Sequence, residues 1–510
     1  MDANIVDFGA VGDGVSVNTA SIQQAIDACH LAGGGRVIVP PGRFVTGTIY
    51  LKDHVTLHVA GGATLLGSLR IGDYATDTHK CMYDEPHVDR CLIFARSCRG
   101  IGLEGAGTID GQGASFPNAG DTTHGRPMLI RAMDCTGIRV RDLTLRSPGA
   151  WTSAWLYCDD IAIDGLTIHS RANWNGDGLD FDGCRNVRVS NCAFDTSDDS
   201  ICLQASRTDR PCENVVVTNC IFRSHWAGMR IGLLSLGDLR NLAVSNCTFV
   251  DIVDSGLKIQ MCEGGVMENM VFANLVMTNV PRPVFMTFNR QRAGVDSPAD
   301  VPPPSAMRNF QFSNIRADSG SCGKDSCIIL IGVPGHRIEN VTFSGLHLTA
   351  GGGGSAEDGA VRTLLEYTDD NTLEPRWPEY TKLGRPVPCH GVYARHVSGL
   401  TLSGVRLDTA APDERPAIVC DDVADLELDG VVLQGGRAES LVRLQNVRQA
   451  YIRGCRSRGE GRVFVRAEGS ETSGITIAGD NVVLAAQMVS RGPDTAADAV
   501  RGAAQKQDQE

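Results

Sequence analysis

A chain of 510 residues with a net charge of −13 and no Lys/Arg run offers no basic face to a phosphate backbone, which argues against a nucleic-acid partner. No apolar run approaches the roughly 20 residues that span a bilayer, so no membrane partner is expected either. With 42% hydrophobic residues but only 5% aromatic, and with 58 glycines, the composition favours many short strands and tight turns over long helices.

The start Met1-Asp2-Ala3-Asn4 lacks a positive region followed by an apolar stretch. As it stands the chain reads as cytoplasmic, and as secreted or periplasmic if a leader has been removed. Next comes a helix signal over 21–32. Ser21 and Gln24 form a capping pair, Ile22, Ala25, Ile26 and Cys29 an apolar stripe, and Gly33-Gly34 a stop. The helix is suited to plug one end of a longer repetitive structure.

The rest of the chain supplies that repeat. Asn186-Val187-Arg188-Val189-Ser190-Asn191-Cys192 recurs from Asn214 and again from Asn241, at spacings of 28 and 27 residues. Weaker copies lie upstream at Gly137–Val140 and Ile161–Ile163, and downstream at Asn309–Asn314, Asn340–Phe343, Leu400–Leu402 and Leu426–Leu428. Each copy alternates and is β-branched, with no crossover helix between copies. Such strands bury their inner faces by coiling into a solenoid whose turns stack about 4.8 Å apart. The expected fold is therefore all-β, a solenoid over residues 1–490 with an N-terminal capping helix. Residues 491–510, small and polar, read as a disordered tail. The 18 cysteines recur at equivalent repeat positions, as stacked core residues would, and no spacing suggests a zinc site.

Four segments of the repeat align: Asp177–Phe181, Asp199–Leu203, Ala227–Ile231 and Ser255–Ile259. Their third and fifth columns are apolar and point inward, so the fourth column, Asp180, Cys202, Arg230 and Lys258, is expected to point outward on an exposed strip. Asp177 and Asp199 fall in one column one coil apart, with Asp198 beside them. Three carboxylates so close repel one another, which raises the pKa of at least one and leaves an acid beside ionised bases, the division of labour glycoside cleavage requires. An Asp-rich turn or a calcium site is the structural alternative.

The chain resembles a known family at Val6-Asp7-Phe8-Gly9-Ala10-Val11-Gly12-Asp13-Gly14, at Gly33–Gly42 and at Gly107-Thr108-Ile109-Asp110-Gly111-Gln112-Gly113, and in its centre at Asn175-Gly176-Asp177-Gly178 and Ser197-Asp198-Asp199. These segments are similar to the polygalacturonases, family 28 of the glycoside hydrolases, over most of residues 4–440. The resemblance implies that the solenoid is a single-stranded right-handed parallel β-helix, and it implies hydrolysis with inversion. It implies Asp198 as general acid, Asp177 and Asp199 as the pair activating water, and Asn175 in the first motif. The family's Gly-His-Gly falls on Trp226-Ala227-Gly228, leaving His225 to supply the histidine. Its Arg-Ile-Lys falls on Lys258-Ile259-Gln260, with Arg230, Arg290 or Arg292 as further cations for a sugar carboxylate.

The sequence thus points to a glycosidase without cofactor or metal, acting on an acidic, pectin-like poly- or oligosaccharide. Loops at 290–307 and 356–390 could close one end of the groove and make it exo-acting. The alternatives are a calcium-dependent polysaccharide lyase on the same scaffold and an inactive carbohydrate-binding β-helix. The oligomeric state is left open.

Overall fold

The computed structural model describes residues 1–78, 89–117, 125–288, 306–362, 364, 380, 383 and 387–502. They form two compact units, residues 1–242 and the described residues from 243 onward. No helix among the described residues is long and apolar enough to cross a membrane.

In the first unit each coil contributes three strands, and each strand pairs in parallel with its equivalent one coil on. Ser153–Leu156, Leu179–Asp182, Ile201–Ala205 and Ala227–Ser235 form one face. Thr136–Arg141, Asp159–Asp164, Arg185–Ser190 and Cys212–Thr218 form a second, and Thr144–Arg146, Thr167–Ser170, Ala193–Thr196 and Ile221–Ser224 a third. The register is the one expected: Leu179 stands over Ile201 and Ile201 over Met229, while Phe181, Leu203 and Ile231 form the next inward column. All six are at most 2% exposed.

Asparagine turns the corners. Asn186, Asn214 and Asn241 adopt φ of 57–59°, a left-handed conformation that short polar side chains tolerate. Their carboxamides form a ladder, Asn214 Nδ2 donating to Asn186 Oδ1 and Asn241 Nδ2 to Asn214 Oδ1, both at 3.1 Å. The Ser/Thr-Asn-Cys motif has its reason here too. Asn191 and Asn219 turn the chain, and the following thiol donates back to the carbonyl two residues earlier, Cys192 to Ser190 at 3.1 Å and Cys220 to Thr218 at 3.3 Å. Among the described residues every cysteine is a free thiol and all but Cys322 are buried, in line with stacked core positions. Phe194 and Phe222 stack with centroids 5.0 Å apart, as neighbours in one column must.

The capping helix runs over Thr19–Leu31, two residues earlier than expected, with Asn18 rather than Ser21 at its N-cap. The Asn18 carboxamide makes no cap bond. It donates instead to the carbonyls of Val11, Ser16 and Val45, tying the helix entry to the first coils. The stripe Ile22, Ala25, Ile26 and Cys29 is wholly buried, and Gly33 and Gly34 end the helix at φ of 85° and 120°.

In the second unit Val266–Thr278, Ala306–Asp318 and Ile338–Ala350 pair in parallel as long strands that run through the asparagine corners. Ser255–Met261, Arg282–Phe288, Ile328–Ile331 and Val392–Ser403 succeed one another on another face. A short helix, Ala356–Ala360, with a Ser355/Asp358 capping box, occupies part of the stretch expected to be irregular. Chain order continues past the expected tail boundary at 491. Val500–Arg501 pairs with Ile475 and Thr476, and Val500 is buried, a contact that the small, polar composition around it concealed. Arg290 and Arg292, most of the 290–307 and 356–390 loops, and residues 503–510 lie outside the described residues.

Candidate active site

The site is built on the first unit from two loops that the coil stacks against each other. Gly178 N donates to the Asp199 carbonyl at 2.9 Å and Leu179 N to that of Ser200 at 3.0 Å, fixing the entrance of one strand on the next. Glycine is required there, because a Cβ on Gly178 would lie 2.2 Å from the Ser200 carbonyl oxygen and one on Gly176 2.2 Å from that of Ser170. Hydroxyls clamp the Asp198-Asp199 turn. Thr196 Oγ1 and Ser224 Oγ each donate to the Asp198 carbonyl at 2.6 Å, and Ser197 Oγ donates to the Asn173 carbonyl at 2.6 Å.

This scaffold brings Asp177, Asp198 and Asp199 together, with one carboxylate oxygen of each within 4.8 Å of the others. Asp177 and Asp199 are buried and Asp198 is half-buried. Both oxygens of Asp199 are engaged: Oδ1 accepts from Ala227 N at 3.3 Å and Oδ2 from Arg230 Nη1 at 3.0 Å. Asp198 Oδ1 accepts from the Asp199 amide at 2.9 Å, and its Oδ2 faces the Asn175 carboxamide at 3.5 Å. Burial, then the charges of Asp198, Asp180 and Asp199, push the Asp177 carboxyl well above the usual carboxylate range. Asp180 is pushed the same way by burial and then by Asp199 and Asp198. Burial and charge crowding thus push two of the site's carboxyls, Asp177 and Asp180, toward their protonated forms.

Asp180, Cys202 and Arg230 do stand in one column. The expectation that this strip is exposed is corrected, since the three are 1%, 2% and 7% exposed. Side chains stacked at strand spacing cover one another from above and below, so pointing out of the core does not mean meeting solvent. Arg230 is accordingly committed to Asp199 rather than held out toward solvent. Lys258 and Gln260 belong to the second unit and are wholly buried there. Lys258 Nζ lies 3.0 Å from Asp254, whose other oxygen meets Arg282 at 3.3 Å. Burial opposes ionisation of Asp254, but these two cations outweigh it and hold its carboxyl below the ordinary value.

His225 follows the strand Ile221–Ser224, and its amide donates to the Thr196 carbonyl at 3.1 Å. Strand alternation turns Ser224 inward to clamp Asp198, so His225 must face out, where it is exposed. Its imidazole is shifted down by partial burial and by Arg171, with Asp195 opposing. The Ala227 backbone still serves the site through its amide.

Arg126, which sequence reasoning missed, is 3% exposed and donates to Asn175 Oδ1 at 2.9 Å and to the Trp174 carbonyl at 2.6 Å. Asn175 thereby bridges Arg126 and Asp198, in a left-handed conformation at φ 53°. Arg126 lies 49 positions before Asn175 and outside the aligned segments, so nothing in the sequence paired them. Asp254 was missed for the same reason: it precedes the aligned segment rather than lying in it.

Three carboxylates this close also have the donor set of a hard cation. The guanidinium on Asp199 already supplies positive charge at that corner, which weakens the case for a metal there.

The sequence profile of glycosyl hydrolases family 28 matches residues 32–362, more than half of the chain. The chain belongs to family 28 of the glycosyl hydrolases. It is 28% identical over 391 residues to an exo-poly-alpha-D-galacturonosidase of Dickeya chrysanthemi, covering 64% of each chain. It is 27% identical over 378 residues to a probable polygalacturonase of Vitis vinifera, covering 68% of this chain and 74% of that one. Among solved structures, the family 28 exopolygalacturonase of Yersinia enterocolitica superposes with a TM-score of 0.65 at 21% identity, over 84% of this chain and 78% of the other. This places the fold as a right-handed parallel β-helix. The chain spans 64% of the Dickeya enzyme's length.

Proposed function

We propose that this family 28 member hydrolyses glycosidic bonds of a pectin-like, uronic-acid-containing poly- or oligosaccharide, with inversion and without a metal. The observation that carries the reading is the cluster of Asp177, Asp198 and Asp199 within 4.8 Å, with Asp199 gripped by Arg230. Asp198, the half-buried member, delivers a proton to the leaving oxygen. Asp177 and Asp199 hold a water on the opposite side of the sugar. In the reacting form the proton that the free site keeps on Asp177 has moved to Asp198, leaving Asp177 ionised. As the carbon–oxygen bond breaks, Asp198 gives that proton to the leaving oxygen, the water oxygen bonds to the anomeric carbon and the water's proton passes to Asp177, which regains the form its burial favours. With the oxygens within 4.8 Å of one another, one bridging water is enough to return the proton to Asp198.

Inverting enzymes usually hold their carboxyl groups about 6.5–9.5 Å apart and retaining enzymes about 5–5.5 Å. The nearest oxygens here fall below both ranges, so separation alone favours neither outcome. What supports inversion is the match of Asn175–Gly178 and Ser197–Asp199 to the motifs of family 28.

The resemblance to named exo-acting relatives supports removal of units from a chain end. The test is release of reducing ends from polygalacturonate. The wild type should release them, and Asp198→Asn should lower kcat by about 10²–10⁴-fold. Release of unsaturated product, lost with a chelator, would instead show calcium-dependent lyase chemistry.

A further inference from the structure

The geometry points to Trp174 as a stacking platform for a sugar ring next to the cleaved bond. Trp174 is 59% exposed, whereas Trp151 and Trp155 are 6% and 1% exposed. An indole this exposed offers an apolar face to a ligand, and the C–H face of a pyranose fits it.

Its setting is rigid. The Trp174 amide donates to Asn173 Oδ1 at 3.0 Å, and its carbonyl accepts from Arg126 at 2.6 Å. Asn173 is itself buried and anchored through Nδ2 to the carbonyls of Pro117 at 3.1 Å and Gly113 at 3.4 Å. Backbone fixed on both sides of an exposed indole lowers the entropy lost when a ligand settles on it. The platform is also next to the chemistry. Asn175, the next residue in the chain, faces Asp198 at 3.5 Å, so the platform's backbone is one residue from a side chain that touches the proposed acid. No carboxylate recognition is involved, so the platform selects for a pyranose face and leaves the charge of the sugar to other groups. This assignment rests on the hydrolase reading for its substrate class.

The test measures binding apart from turnover. In an Asp198→Asn background, oligogalacturonide titrations are followed by calorimetry with Trp174, Trp174→Phe and Trp174→Ala. Loss of the ring in Trp174→Ala should weaken Kd about tenfold, and Trp174→Phe, which keeps an aromatic face, should recover most of it. In the active enzyme the same substitution should raise KM more than it lowers kcat. Equal affinity for all three folded proteins would overturn the platform even where the wild type hydrolyses its substrate. Binding that depends on Trp174 in a protein with no hydrolytic activity would uphold the platform and defeat the hydrolase reading. Should Trp174→Ala fail to fold, Trp174→Phe and Trp174→Leu give the comparison between aromatic and aliphatic side chains.

Discussion

Arg230 reaches across one coil to set its Nη1 3.0 Å from Oδ2 of Asp199, and the two side chains are 9% and 1% exposed. A buried pair of this kind costs much to break, because the remaining charge is left without compensation in a dry setting. Arg230→Ala should therefore lower stability by about 3–5 kcal/mol and abolish most activity. Arg230→Lys should fall between the two, keeping the charge but losing the planar fork. Thermal unfolding together with reducing-end kinetics checks both, and an Arg230→Ala protein as stable as the wild type would contradict the assigned role.

Burial without a cation of its own should show in the pH dependence of stability at Asp180. Its carboxyl is raised above the ordinary 3.8 by burial and by Asp199 and Asp198, so the folded protein binds a proton that the unfolded chain gives up. That stabilisation is full below 3.8 and is lost as pH rises through the folded value. Asp180→Asn mimics the neutral form at every pH. The melting temperature of Asp180→Asn minus that of the wild type should accordingly grow as pH rises from the acid side. A difference that stays flat or shrinks would show that Asp180 is ionised in the fold.

The corner ladder predicts a difference between two replacements of Asn214. Asn214→Ala loses the carboxamide bonds to Asn186 and Asn241 and forces alanine into φ 58°. The left-handed conformation costs about 1–2 kcal/mol and each bond about 1 kcal/mol. Asn214→Gly escapes the conformational part and should be the milder change, which equilibrium unfolding of the two variants will measure.

The legible part of this protein was what the coil repeats. Alternating apolar residues and the Ser/Thr-Asn-Cys corners fixed the register well enough to place Leu179 over Ile201 and Asp180 over Cys202. Vertical stacking then brought Asp177 to Asp199. The strip's burial was not legible, because alternation gives a side chain's direction and not what covers it. Nor was the outward turn of His225, which depends on Ser224 being needed inside. Arg126 comes from a loop outside the repeat, and only its folded position shows that it holds Asn175.

Arg126 should matter through that contact. Arg126→Gln removes the charge beside Asn175 and loosens its hold on Asp198, a displacement that can cost up to about 10²-fold in kcat. The fall should appear in kcat more than in KM on a short oligogalacturonide, and unchanged kcat would remove Arg126 from the positioning shell.

The division of roles among the three carboxylates is tested most directly by the anomeric configuration of the first-formed product, followed by proton NMR as hydrolysis begins. A water held by Asp177 and Asp199 on the face opposite Asp198 must give an inverted sugar that mutarotates only afterwards. A product that first appears with the configuration of the substrate would mean that a carboxylate attacks the sugar itself, and would contradict the account.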